Sequence, residues 1–472
     1  MSKSYIGRVF RDMIGLAVVS MLALPVRAET LADALAAAYI NSGLIQQNRA
    51  LLRAADEDVV VAAAKLRPIL RWSSTVSRSL SSGQAGANGT YQSADSTSTV
   101  ASAGLTAELL LYDFGASELA VQVQKEAVLG TRQKLLSVEQ TVLIRAVEAF
   151  TNMRRDTEKV ALRRSNLSLI TEELRAAKDR FEVGEVTRTD VALAEARLAG
   201  SRSALAAAEG ALRIAAEEYR AAIGHAPKAL NGSNKVLKPV KDLDAAKSIA
   251  VRQHPDIKEI QHKVTMAELT LQQAQLAKKP TVQLSGSYGL TETLTSRAYG
   301  RSGEIKLQAT GLIYQGGQIP ALVRKSAANR DAARYDLNLA ALLVEQNVAT
   351  AYANLQVATA EKEASKLQIR AARVAFLGVR EEAALGARTT LDVLNAEQEL
   401  LDAENNMVSA LADEQIASYK LRSSMGRMTA EHLGLNVPKY DPEEYFSLQK
   451  NAPAVSEQGK KLDRLLKSLV KK

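Results

Sequence analysis

The segment 111–115 reads LYDFG, and the segment 313–317, 202 residues later, reads IYQGG. The same offset of 202 residues relates the segment 184–198 (GEVTRTDVALAEARL) to the segment 386–400 (GARTTLDVLNAEQEL). Two separate matches at one offset predict an internal duplication, in which each copy is about 200 residues long. Further upstream the offset widens to 211 or 212 residues, because the first copy carries a longer loop between its strands.

Both copies show one order of elements: a helix, two strands, a very long helix, a glycine turn and a returning helix. We expect a signal peptide at 1–28 and an inter-repeat linker at 227–240. The predicted domains and strands are a first repeat at 29–226 with strands at about 69–82 and 99–112, a second repeat at 241–430 with strands at about 281–291 and 304–314, and a partly disordered C-terminal tail at 431–472.

The strands alternate between apolar and polar side chains. In the third strand, the apolar residues Val282, Leu284, Tyr288 and Leu290 alternate with polar neighbours. Alternating runs of about ten residues have the length that a tilted strand needs to cross a membrane. A soluble sheet with one wet face remains an alternative from the strands alone.

Four membrane strands per chain cannot close a barrel, and an open strand edge in lipid leaves backbone groups unpaired. The chain is therefore expected to assemble with copies of itself. Three copies would supply twelve strands, an even number within the range of outer-membrane barrels. The closure argument does not select three copies over two or four.

The long helical stretches are predicted at about 118–183 and 320–385. At 1.5 Å per residue, each would extend roughly 100 Å. Val160, Leu167, Leu174 and Phe181 recur at intervals of seven residues, which is typical of a coiled-coil seam. Aromatic residues make up only 4% of the chain, which also favours long helical seams over one compact core. The expected fold class is thus an α+β membrane protein.

The N-terminus has the pattern of a cleavable signal peptide. Three basic residues, Lys3, Arg8 and Arg11, precede the apolar stretch 13–24, and Ala28 supplies a small residue at the expected cleavage site. An apolar run of about 12 residues is too short to span a bilayer. We therefore expect an exported mature chain with no inner-membrane helix.

The chain is basic, with a formal net charge of +9, but acidic and basic residues are interleaved along the helices. This pattern favours solvated helix faces over a nucleic-acid partner. There is no cysteine, and the four histidines show no metal-ligand spacing. No phosphate loop or nucleophile motif occurs, so neither a cofactor nor an enzymatic activity is expected.

Together, these motifs resemble the TolC family of outer-membrane efflux and type I secretion proteins. The resemblance rests on 111–115, 313–317, Phe181-Glu182-Val183-Gly184 with Thr189-Asp190-Val191, and 386–396, and it covers almost all of the mature chain. It implies a homotrimeric tube, in which a shared 12-stranded barrel continues as a periplasmic α-helical barrel. It also implies a passive exit duct that works with a periplasmic adaptor and an inner-membrane transporter.

The resemblance also assigns roles at the two helix turns. Asp392 would line a periplasmic constriction, and Asn395 stands where the family often has a second acid. Arg388 would hold the resting tip closed, with Asp190 as its expected partner and Glu173 as another acid within reach. The spacing Thr187-x-x-Asp190 and Thr389-x-x-Asp392 also predicts a simpler role, since both have the form of a helix capping box.

Val183, Gly184, Leu385 and Gly386 match the family's adaptor-docking positions, although each glycine also suits a helix C-terminus. The alternative function is a periplasmic coiled-coil adaptor or scaffold without a membrane barrel. A lipid-anchored duct of the same family is a third hypothesis, against which the absence of cysteine argues. The sequence does not identify the cargo, the transporter, the strength of cation block or the role of the basic tail.

Overall fold

The computed structural model describes residues 28–87, 90–231, 236–237, 240, 242–449 and 464. The predicted signal peptide lies outside these residues except for Ala28, as do parts of the predicted linker and the tail beyond residue 449. The described chain divides into two compact units. The turn unit runs to Ile45 and includes Val138–Arg252 and Val344–Pro438, and the sheet unit comprises Gln46–Ser137, Gln253–Leu343 and the residues from Lys439 onward.

The sheet unit contains one antiparallel sheet in the order β1-β2-β3-β4. Its strands are β1 (Ile69–Ala87), β2 (Thr90–Tyr112), β3 (Thr281–Thr293) and β4 (Ala298–Thr310). Across the sheet, Trp72 is opposite Leu105, Leu105 is opposite Tyr288, and Tyr288 is opposite Gly303. The pairing of β2 with β3 shifts register between Leu110 and Tyr112. Residues paired in this way point to the same face of a sheet.

The register separates two chemically different faces. The first, which we call the apolar face, carries Leu70, Trp72, Val76, Ala103, Leu105, Ala107, Leu109, Leu284, Tyr288, Leu290, Ile305 and Leu307. The polar face carries Arg71, Thr75, Ser77, Ser79, Ser102, Thr106, Glu108, Ser285, Ser287, Thr291, Glu304 and Lys306. On the polar face, Arg71 donates from Nη1 to Glu108 Oε1 over 2.7 Å.

The strand limits differ from those predicted. β1 and β2 continue to Ala87 and from Thr90, beyond the expected 69–82 and 99–112, and β3 continues to Thr293 rather than 291. β4 covers 298–310 rather than 304–314. The last ladder pair is Thr281 with Thr310. The next residue on β3's side is Pro280, which has no N–H to donate, so the ladder ends before Ile313.

The helices are α1 (Leu31–Asn41), α2 (Gly43–Ala64), α3 (Ala116–Glu182), α4 (Arg188–Ile223), α5 (Leu243–Gln253), α6 (Pro255–Leu276), α7 (Gln318–Ala384), α8 (Thr390–Ser424), α9 (Ala430–Leu433) and α10 (Pro442–Gln449). The two longest, α3 and α7, each have 67 residues. At 1.5 Å per residue, each is roughly 100 Å long. None of the helices in the described part of the chain combines the length and hydropathy needed to span a bilayer.

Each of the two helices predicted to precede a strand pair is divided in two in the structure. Between α1 and α2, Ser42 adopts an extended conformation, and its Oγ accepts from Ile45 N over 3.3 Å. Between α5 and α6, His254 is extended and Pro255 occupies the first helical position. Proline has no N–H to continue the preceding helix, and a serine cap starts a new one, so both sites interrupt the helical ladder.

Candidate functional site: the paired helix turns

Both predicted helix turns lie in the turn unit and have the same backbone hydrogen bonds. At the end of α3, Gly184 N donates to Phe181 O and Glu185 N donates to Arg180 O, over 3.0 and 2.9 Å. At the end of α7, Gly386 N donates to Ala383 O and Ala387 N donates to Glu382 O, over 3.1 and 2.9 Å. These pairs form a Schellman motif, which needs a left-handed residue after the helix. Gly184 and Gly386 supply it, with φ of 82° and 78°.

Each returning helix then begins with a complete capping box. Thr187 N donates to Asp190 Oδ2 over 2.9 Å, while Asp190 N donates back to Thr187 Oγ1 over 3.3 Å. Thr389 and Asp392 repeat this exchange over 3.0 and 3.2 Å. Hydrogen bonds from Thr187 lower the pKa of Asp190, and those from Thr389 lower the pKa of Asp392. Both carboxylates are therefore held in the charged form.

Two apolar side chains stand exposed beside the turn glycines. Val183 is 72% exposed and Leu385 is 87% exposed. Apolar side chains at these exposures stay in contact with water, so the two turns carry a small exposed apolar surface. A side chain at either glycine would have no neighbouring atom within 4 Å of its Cβ. The adaptor-docking role of these positions stays a prediction.

A shared core holds the two turns together. One cluster joins α3 and α4 to α8 through Leu394, which packs with Ile170, Leu174, Ala177, Ala194 and Leu198. A second joins α7 and α8 to α3 through Leu169, which packs against Phe376, Ala383 and Val393. Within the predicted seam, Val160 and Leu174 are buried and Leu167 packs against the first cluster, whereas Phe181 is 44% exposed near the turn.

Arg388 has a different partner from the one that the resemblance implied. Its Nε donates to Glu382 Oε2 over 2.8 Å, across the second turn itself. This contact raises the pKa of Arg388, with a smaller contribution from Asp392. In the described chain, the side-chain hydrogen bonds of Asp190 are those with Thr187. The pairing of Arg388 with Asp190 therefore stays a prediction for the assembled protein.

Glu173 lies near another acid rather than near Arg388. Glu397 on α8 is only 4% exposed, and its Oε1 accepts from Asn166 Nδ2 on α3 over 2.6 Å. Ser201 on α4 donates to Asn166 Oδ1 over 3.1 Å, which fixes the orientation of the amide. Burial, together with the charge of Glu173, raises the pKa of Glu397 to about 7. Glu397 Oε2 has no hydrogen-bond partner among the described residues.

Asn395, which replaces a second acid of the family pattern, is also engaged. Arg197 Nη2 on α4 donates to Asn395 Oδ1 over 2.9 Å. This bond ties α8 to α4 beside the buried Glu397. An amide at this position can accept from arginine without adding charge, so the only predicted constriction carboxylate on this segment of α8 is Asp392.

The sequence predictions missed Glu397, although a signal was present. Val393, Leu394, Glu397 and Leu401 follow helical spacing along one face of α8, and all four are buried. An acid within an apolar stripe predicts a buried carboxyl. The matching residue 202 positions earlier, Glu195, is exposed and pairs with Lys178 over 2.9 Å. The shared motif thus has different surroundings in the two copies.

The side chains at the turns are apolar, capped or paired. In the portion of the chain that the structure describes, no group of three or more histidine or acidic side chains has an arrangement suited to a metal ion. The features present are two exposed apolar turns, capped carboxylates and one buried proton-binding carboxyl.

The sequence model of the outer membrane efflux protein family matches residues 34–225 and 247–427. The chain therefore belongs to the outer membrane efflux protein family. This confirms the predicted TolC-family membership and the predicted outer-membrane location.

Two curated relatives illustrate the range of the family. Outer membrane efflux protein BepC of Brucella suis biovar 1 is 32% identical over 425 residues, which cover 90% of this chain and 91% of BepC. Alkaline protease secretion protein AprF of Pseudomonas aeruginosa is 26% identical over 321 residues, covering 65% of this chain and 67% of AprF. Among solved structures, the Campylobacter jejuni CmeC outer membrane channel superposes with a TM-score of 0.73 at 16% identity, covering 89% of each chain. This likeness shows that the chain shares the fold of that channel's subunit.

Proposed function

We propose that the chain is one subunit of a homotrimeric exit duct in the outer membrane. Three subunits would share a 12-stranded barrel that continues as a periplasmic α-helical barrel. The duct would conduct cargo passively for a tripartite efflux pump or a type I secretion system, without catalysis or a cofactor. The observation that carries this proposal is the four-stranded sheet with one apolar face, one polar face and two free edges.

The apolar face suits lipid. Trp72 is 79% exposed, Ile305 is 86% exposed and Leu307 is 67% exposed on this face. Large apolar side chains in a continuous band would be costly in water, while lipid tails would accept them. At the helix end of the sheet, the rings of Tyr112 and Phe114 lie 4.7 Å apart. Aromatic rings are enriched at membrane interfaces, so this pair fits the periplasmic boundary.

The two edge strands of the sheet, β1 and β4, need pairing partners from further copies of the chain. Among the described residues, β1 pairs only with β2, and β4 pairs only with β3. In lipid, the unpaired N–H and C=O groups of both edges would each cost several kcal/mol. Antiparallel pairing of β4 with β1 of the next copy removes both edges. The family resemblance supports three copies, and the two matching turns support the predicted internal duplication.

The paired turns would form the periplasmic tip. Three copies of Asp392 around one axis would make an anionic ring that favours cations, and the neutral Asn395 limits its charge. Val183 with Gly184, and Leu385 with Gly386, would dock a periplasmic adaptor through their exposed apolar surface. Arg388 would restrain the closed tip, through Glu382 within the chain or through Asp190 and Glu173 after assembly.

The partners and the cargo follow from the same reading. A passive duct needs an inner-membrane transporter to supply energy and an adaptor to connect the two. The likeness to BepC, an efflux protein, and to AprF, a protease secretion protein, supports both uses of one duct. In a passive duct of this kind, the selection of cargo would belong to the transporter.

The single tryptophan of the chain provides the test. In phosphatidylcholine vesicles with brominated acyl chains, Trp72 should be quenched strongly, because its side chain points to lipid. The matched control is Trp72→Phe/Ser73→Trp, which moves the indole to the polar face and should escape quenching. An unquenched Trp72, together with a monomeric mass in chemical cross-linking, would instead favour a soluble periplasmic adaptor or scaffold.

A further inference from the structure

The apolar face has charged residues at one end. Leu290 is opposite Arg301, Glu292 is opposite Tyr299, and Arg78 on β1 is opposite Thr99. All of these pairs lie toward the β3–β4 turn, away from the helices. From Val282 to Leu290, β3 keeps its apolar-face positions free of charge.

The length of this uncharged band matches a bilayer. Nine residues at 3.3 Å each, tilted by about 40°, rise roughly 23 Å, close to the 25 Å band of outer-membrane barrels. An outward arginine is costly at the middle of a membrane, and its cost approaches zero at the interface. Arg301 and Arg78 therefore mark the distal boundary of the band.

The two arginines differ from the arginine on the polar face. Arg71 has an acidic partner, Glu108, at 2.7 Å. Arg301 instead donates from Nε to Tyr299 Oη over 2.5 Å, and its guanidinium carbon lies 5.3 Å from the centroid of that ring. Among the ion pairs of the described residues, neither Arg301 nor Arg78 takes part. The acid on the same face at this level is Glu292.

A guanidinium at a lipid boundary has a suitable partner in the lipid itself. Its planar donors match the oxygens of a phosphate group, and they bind it by two parallel hydrogen bonds. The tyrosine ring holds the Arg301 side chain at the boundary, which reduces the entropy lost on binding. Zwitterionic headgroups would bind less well, because their own cation competes.

We infer that Arg78 and Arg301 bind the phosphate groups of anionic lipids in the leaflet distal to the helices. This inference rests on the proposed function, since it requires the apolar face to meet lipid. It adds a lipid-binding site to a protein otherwise concerned with conduction. The site would anchor the rim of the barrel at a fixed depth.

The test is a lipid titration of the full-length protein in a nonionic detergent. Bound phosphatidylglycerol is counted by native mass spectrometry and compared between the wild type and Arg78→Gln/Arg301→Gln. Each juxtamembrane cation contributes roughly a fivefold preference for an anionic lipid, so the double variant should bind roughly 25-fold more weakly. Phosphatidylcholine binding should not change.

Three controls make the result decisive. Arg71→Gln/Lys306→Gln removes the same charge from the polar face and should leave phosphatidylglycerol binding within twofold of the wild type. Arg78→Lys/Arg301→Lys should recover part of the binding, because lysine restores the charge but not the two parallel hydrogen bonds, and this recovery excludes misfolding as the cause of the loss. Excess inorganic phosphate should not displace the lipid, and displacement would overturn a lipid-specific site.

Equal phosphatidylglycerol binding by the wild type and the glutamine variant would also overturn the inference. This outcome is distinguishable from failure of the proposed function. If Trp72 is quenched by brominated chains while binding shows no dependence on Arg78 and Arg301, only the lipid site fails. If Trp72 is not quenched, the membrane placement itself fails.

Discussion

Replacing the buried Glu397 by glutamine should remove a pH-dependent loss of stability from the turn unit. The carboxyl is 4% exposed, and burial with the nearby charge of Glu173 raises its pKa from 4.5 to about 7. That difference corresponds to about 3 kcal/mol between the two protonation states. Glutamine has a similar shape and can still accept from Asn166, but it cannot ionise.

The direction of this pH dependence follows from the coupling between proton binding and folding. A carboxyl whose pKa is raised in the folded state binds its proton more tightly there than in the unfolded chain. Its contribution is complete below pH 4.5 and is lost as the pH rises through about 7. Between pH 5 and pH 8 the wild type should therefore lose about 2–3 kcal/mol per chain relative to Glu397→Gln.

The assay is thermal unfolding followed by helical circular dichroism at pH 5 and pH 8. The midpoint of Glu397→Gln minus that of the wild type should be larger at pH 8. Glu195→Gln is the matched control, because this equivalent residue is exposed and paired with Lys178. Its effect should be small and similar at both values of pH. Glu173→Gln should reduce the wild-type loss, because removing this charge lowers the pKa of the folded Glu397 toward its unfolded value.

A constant offset between Glu397→Gln and the wild type at pH 5 and pH 8 would refute this reasoning. It would mean that Glu397 titrates like an exposed acid, and hence that α8 does not pack against Asn166 in solution. Midpoint differences are used because a multi-unit membrane protein need not unfold in one two-state step.

Three further predictions concern the turns. Arg388→Ser should raise single-channel conductance in planar bilayers, as should Glu382→Gln if their bond restrains the tip, and unchanged conductance in both would discredit the clamp. Asp392→Ala should shift the reversal potential away from cation preference, whereas Asp33→Ala, which removes a capping box of the same form in α1, should leave it unaltered. Gly386→Ala should destabilise the folded protein by about 1 kcal/mol, because alanine is strained at a φ of 78°. The control Gly378→Ala, within α7, should stabilise it by about 1 kcal/mol. Shifts of the two thermal midpoints in the same direction would contradict this account.

Features encoded by local sequence could be predicted closely. The capping boxes at Thr187 and Thr389 and the glycine turns depend on residues within a few positions of one another, and the structure contains both. The alternation of apolar and polar residues likewise gave the faces of the sheet, because side chains alternate along any strand. These features need no knowledge of distant parts of the chain.

Features that depend on neighbours were harder to predict. The end of β4 at Thr310 follows from the position of Pro280 across the ladder, which only the register reveals. The break between α1 and α2 depends on one serine in an otherwise helical sequence. Arg388 has several acids within reach by sequence, and the local one, Glu382, is its partner in the single chain.

The matching segments 184–198 and 386–400 show why local sequence predicts the turn but not its surroundings. Glu195 and Glu397 stand at equivalent positions in the two matching segments. Glu195 faces water and pairs with Lys178, whereas the buried Glu397 accepts from Asn166, which in turn accepts from Ser201. A duplicated motif preserves the turn because the turn is specified within it. It does not preserve the environment, because α4 and α8 pack against different partners. The charge state of a carboxyl is set by that environment, so a proton-sensitive residue can arise in one copy while its counterpart stays an ordinary surface acid.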